Sequence, residues 1–186
     1  MHRPFVLLAM CAAASLAQAQ SVSPPTPMEG MDPMHMDHAA HMEAMTKAQR
    51  QAEVSERGRD VMPFDAAATL HVFTKDAEGG VQQVVARNKG DVKQAALVRQ
   101  HLKDIRGQFQ RGDFSAPGHI HGAQMPGLEE LQAAKPGQIA IDYKEIRGGA
   151  QLAWRTSDPV LVAAVHQWFD AQVSDHGKDA MEGHRQ

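Results

Sequence analysis

The sequence predicts an α+β fold: a duplicated ββα unit forming a four-stranded antiparallel sheet with helices on one face. Three observations predict it. Two runs rich in β-branched and apolar residues are each turned by a glycine pair, Gly79-Gly80 and Gly148-Gly149, as hairpins require. Each is followed by an aspartate-led stretch of helical periodicity, from Asp91 and from Asp158,. The same order recurs in both halves, with Gln100 and Gln167 at matching places, which argues for an internal duplication. Two hairpins and two main helices pack most economically as one sheet with one covered face.

In chain order, residues 1–19 read as a signal peptide. His2 and Arg3 precede an apolar run from Phe5 to Ala17, and Ala17-Gln18-Ala19 supplies the small-x-small cleavage pattern,. The run falls short of the roughly 20 apolar residues a span needs, and no later segment is apolar enough, so no membrane span is expected once the signal is removed. Cys11 is the single cysteine. Its loss with the signal excludes disulfides, thiolate metal sites and thiol redox chemistry from the mature chain. The expected location is periplasmic or secreted. A formal net charge of −3 argues against a nucleic-acid partner.

Residues 20–57 are expected to be a disordered Met/His-rich tail and linker. Between residues 28 and 45 stand Met28, Met31, Met34, His35, Met36, His38, His41, Met42 and Met45, nine soft or imidazole donors in eighteen residues. Such a stretch buries too little apolar surface to offset its chain entropy. Thioethers suit Cu(I), while imidazoles accept Cu(II), Cu(I), Zn and Ni, so the composition points to copper. Residues 46–60, rich in helix formers with mixed charge, read as an exposed helix or stiff linker.

A single α+β domain is expected over residues 58–177. Residues 68–87 form the first hairpin, and residues 92–111 a helix led by Asp91 with Gln94 three residues on, a capping-box arrangement. Its stripe is Leu97/Val98, His101/Leu102, Ile105 and Phe109. Residues 112–127, punctuated by glycine and proline, read as an irregular connector. Residues 128–134 form a short helix, 138–147 and 150–156 the second hairpin. Pro159 then opens a helix that Gly177 ends, with Val162, Val165, Phe169 and Val173 as its stripe. Residues 178–186 are expected to be a flexible C-terminus.

The connector carries the candidate ordered site. On an extended backbone His119 and His121 point the same way, with Met125 and Asp113 nearby and His71 on the first strand as a further candidate. His101 sits at the margin of a helix stripe, and His166 shares a face with Asp170. His176 has the ready explanation of a cation at a helix C-terminus. About 15 Å of helix separates His166 from His176, so one ion cannot take both. Trp168 and Phe169 read as packing groups. The zincin, nucleophile-elbow, phosphate-loop and dinucleotide motifs are all missing, so a binding protein is expected ahead of an enzyme.

The segments Arg57–Asp65, Thr69–Phe73, Gly112–Phe114, Ile120–Leu128, His166–Gln172 and Asp175–Gly177 resemble a little-characterised family of small exported bacterial proteins, sometimes mislabelled aspartate carbamoyltransferase. The true carbamoyltransferases are much longer and carry a Ser-Thr-Arg-Thr phosphate loop that this chain lacks. The resemblance covers residues 57 to 177 and implies no activity. The functional expectation is therefore an exported metal-binding protein for copper binding or tolerance. The alternatives are a non-metallic module for a periplasmic protein partner and an unrecognised enzyme.

Overall fold

A computed structural model describes residues 33–184, with side chains from residue 40 onward. The expected signal peptide (residues 1–19), Met28 and Met31 lie outside the described residues. The chain forms α1 (Pro33–Val61), β1 (Thr69–Asp76), β2 (Gly79–Ala86), α2 (Val92–Gln110), α3 (Ser115–His121), α4 (Leu128–Ala133), β3 (Ala140–Ile146), β4 (Gly149–Arg155), α5 (Pro159–His176) and β5 (Ala180–Glu182). Among the described residues no helix is long and apolar enough to cross a membrane.

The sheet has five strands in the order β3-β4-β2-β1-β5, which corrects the expected four-stranded antiparallel sheet. Both hairpins are antiparallel and meet through β2 and β4, but β5 runs parallel to β1, with Val72 opposite Met181. The fifth strand lies in the stretch expected to be a flexible C-terminus. Three residues are too few to carry a readable alternation; the pairing arises because Gly177, at φ 54°, turns the chain back beside β1. The hairpin-then-helix order does recur along the chain. However, α2 packs mainly on β3 and β4, and α5 on β1, β2 and β5, so each helix covers the other hairpin.

Buried side chains alternate along β1 as Thr69, His71 and Phe73, so His71 shares a layer with Phe73 on the helix side. The core closes around Trp154, Trp168, Phe109 and Phe114. Each such side chain contributes about 1.5–3 kcal/mol by leaving water. The opposite face of the sheet is only half-buried, at Leu70, Val72, Val81 and Val85.

Three local features differ from expectation for identifiable reasons. The connector contains α3: Asp113 Oδ1 accepts from Ser115 N at 3.0 Å, and Pro117 falls in the first turn, where it costs no hydrogen bond. Seven residues give no periodic signal. Gln94 completes only half of the expected capping box. Asp91 accepts from Gln94 N, but Gln94 Oε1 accepts from Asp65 N at 3.0 Å, tying α2 to the turn before β1. Finally, the stretch expected to be disordered is helical from Pro33 onward. Helix formers dominate it, and the spacing of Gln51, Val54, Gly58 and Val61 turns one stripe inward, with Val54 fully buried,.

Candidate functional site

Helix α3 decides the fate of the His-x-His pair. Residues two apart on a helix are about 200° apart in azimuth, so His119 and His121 face opposite ways. The His119 side chain is 55% exposed, with Nε2 3.8 Å from Asp60 Oδ2, whereas His121 is buried. The two cannot share an ion, which overturns them as a pair. Met125 is packed in the core and does not line the histidine cavity described next. Of the remaining candidates, Met34, His35, Met36 and His38 lie on the first turns of α1, their side chains outside the described residues. His41, Met42 and Met45 follow on the same helix and are exposed.

The structure instead gathers His71 from β1, His121 from α3 and His176 from α5. The rings of His71 and His176 stack with centroids 5.0 Å apart and planes 2° from parallel, and His121 meets His176 edge-on, also at 5.0 Å. They line a cavity of about 50 Å³ together with His101, Gln82, Met62, Trp168 and Gln172. That volume exceeds the roughly 10–15 Å³ needed for one water. His71 and His121 were among the expected ligands; His101 and His176 were discounted.

Each of the three clustered imidazoles has one nitrogen committed. His121 Nδ1 stands 2.8 Å from Asp175 Oδ2. The Asp175 carboxylate is gripped in turn by the Arg50 fork, Nε to Oδ1 at 3.0 Å and Nη2 to Oδ2 at 2.7 Å. Burial alone would push the Asp175 carboxyl up, but the hydrogen bonds from His121 and Arg50 outweigh it and hold the group well below the usual carboxylate range. An ionised carboxylate only accepts, so His121 Nδ1 is the donor and Nε2 is the nitrogen that this bond leaves uncommitted. His176 Nε2 donates to Gln172 Oε1 at 3.1 Å, leaving its lone pair on Nδ1. His71 hydrogen-bonds to the Asp179 backbone, and its Nδ1 is buried without a partner.

Burial keeps the His71, His101 and His176 rings neutral. It pushes His71 down to about 4, against the pull of the Asp179 backbone bond, and it pushes His101 to about 4 as well. His176 is driven well below its ordinary value, first by burial and then by its neighbours His71 and His121. The expected helix-end cation is thus a neutral base. Two further buried atoms on residues lining the cavity lack partners, Gln82 Oε1 and Trp168 Nε1.

His166 lies elsewhere. Its Nε2 is 2.9 Å from both Asp76 O and Gly79 O, pinning the β1–β2 turn, while Asp170 pairs with Lys75 rather than with His166. Among the described residues, no group of three or more His, Cys, Asp or Glu side chains is placed to hold a metal ion. Sequence reasoning missed Arg50, Gln82 and Asp175; the adjacency of Asp175 and His176 at the end of α5 was the available signal.

Comparison with protein-family models, curated proteins and solved structures gives no match.

Proposed function

We propose that this is an exported metal-binding protein that handles copper, with His71, His121 and His176 as its ordered ligands and the Met/His segment from residue 28 to 45 as an outer capture surface. The observation that carries the reading is the commitment of one nitrogen on each buried ring. A histidine that gives its N–H to a carboxylate, an amide oxygen or a backbone carbonyl offers its other nitrogen at a fixed angle, the arrangement typical of metal-ligating imidazoles. His71 and His176, held neutral by burial, bind without first losing a proton,. The lone pairs of His71, His176 and Gln82 Oε1 supply the cavity with acceptors, which favours a cation.

Closing a shell requires one of the two stacked rings to turn. That breaks the hydrogen bond holding the turned ring and leaves its buried partner unsatisfied, about 1–3 kcal/mol, against coordination free energies on the order of 10 kcal/mol. The repeated hairpin and Asp-capped helix we read, on the same footing, as an internal duplication.

The test uses the full mature chain, because α1 is part of the fold. Calorimetric titration with Cu(II), and with Cu(I) under reductant, should show tight binding that the paired substitutions H71A and H121A remove from the ordered site. H119A should leave that site unchanged. Binding no tighter than micromolar in the wild type would refute the proposal. An effect of H119A equal to that of H121A would return the site to the connector pair.

A further inference from the structure

The buried cavity does not stand alone. A second cavity, of about 290 Å³, lies beside α1 and is lined by Gln51, Asp175, His176 and Lys178; a third, of about 560 Å³, opens between Gly58, Asp65 and Asp179. Met62 lines all three, and His176 lines the histidine cavity and the second one. Among the described residues lining these cavities, Met62 contributes the only sulfur.

Met62 follows directly on α1 and is half-buried, its N–H bonded to Gly58 O at 2.8 Å. Its methyl group folds back on the helix, where a Cβ at Gly58 would come within 2.6 Å of Met62 Cε. A glycine at residue 58 thus leaves the thioether its place. An unbranched side chain with three rotatable bonds can present its sulfur to either side of the wall it forms. Thioether sulfur is neutral and soft: it binds Cu(I) and has little affinity for Zn(II) or harder cations.

We infer that Met62 is a soft entry ligand, passing Cu(I) between the cavities beside α1 and the histidines and selecting that ion over harder ones. The inference rests on the metal-binding reading of the histidine cavity. The transfer is an exchange of ligands on an ion of unchanged oxidation state, so no electron acceptor is involved.

The test is Met62→Leu in the full mature chain, a swap that nearly conserves volume. Metal is supplied either as Cu(I) from a coloured chelator under anaerobic reductant or as Zn(II). Arrival at the inner site is followed by quenching of tryptophan fluorescence for Cu(I) and by calorimetry for Zn(II), with H71A/H121A as the blank. M62L should load Cu(I) slower or bind it weaker on the order of tenfold with Zn(II) affinity unchanged, and G58A, which displaces the thioether, should shift Cu(I) the same way. Wild-type Cu(I) loading and affinity in M62L would overturn the role of Met62 while the histidine site stands. An equal loss for both metals would make Met62 a steric plug and overturn it too. No metal uptake by the wild type would overturn the site and this inference with it.

Discussion

Asp175 holds more of the site together than any histidine does, because it is bonded both to His121 and to Arg50. Replacing it by Asn keeps the shape but removes the charge that fixes the His121 tautomer, and it leaves the Arg50 fork facing a neutral amide. The Arg50 side chain is 43% exposed, so water screens its pair,. We therefore expect D175N to lose about 2 kcal/mol of stability, the scale of a lost hydrogen bond to a charged group, together with metal affinity. Urea unfolding and calorimetry on the same variant measure both, and a variant as stable as the wild type would contradict the role assigned to this carboxylate. None of this was legible locally. Asp175 stands 54 residues from His121 and 125 from Arg50, and a carboxylate in a helix's last turn reads as solvated until its partners are known. His176 was misread for the same reason: a helix-end histidine suggests a cation, but packing against His71 and His121 removes the water that would stabilise the charge.

At the scale of elements, α1 and the chain after α5 close the site from two sides. Arg50 Nη2 also donates to His121 O at 2.8 Å, Arg57 Nε to Ile120 O at 2.9 Å and Gln51 Nε2 to Ser174 O at 2.9 Å, so α1 pins the ends of α3 and α5 together. These bonds satisfy carbonyls in the last turns of both helices, which have no partner within their own helix. The last turn and β5 have a comparable duty, because His71 depends on the Asp179 backbone. Ending the chain after Gly177 would remove that bond and uncover the edge of β1. We expect ordered-site metal affinity to fall by about tenfold or more while the chain still folds around its main core, with retained near-ultraviolet circular dichroism as the control for folding. Unchanged affinity would show that the Asp179 contact is incidental. The buried face of α5 is centred on Leu161, Ala164, Val165, Trp168 and Phe169, with Val162 and Val173 of the expected stripe only half-buried. The amphipathic stripe of α2, the existence of α5 and both glycine-turned hairpins were readable, since each is a local pattern repeated over several residues. Helix α3 and strand β5 were not, since a two-turn helix and a three-residue strand lie below the length at which periodicity separates from chance.

For the whole molecule, the buried imidazoles tie stability to pH. His71 and His101 titrate near 6.5 when unfolded and near 4 in the fold, so below about pH 6.5 the unfolded chain takes up protons that the native one refuses. Stability present above pH 6.5 is therefore lost as the pH falls toward 4, by about 3 kcal/mol for His71 alone. His121, His176 and Arg87 face the same group as potential positive charges and steepen the loss, whereas Asp175 titrates below this window. Urea midpoints measured from pH 7 to pH 4 should drop through that range, and a flat profile would mean that the rings are not buried in solution. The sequence by itself determined the mixed α+β class, the two hairpins, the two long capped helices and the concentration of Met and His, because each is written in nearest-neighbour chemistry or short-range period. Only the tertiary structure decided which histidines meet. His71, His121 and His176 come from a strand and two helices far apart in sequence, and their convergence depends on the packing of those elements. The neutrality of His71 and His176 depends on the burial which that packing creates.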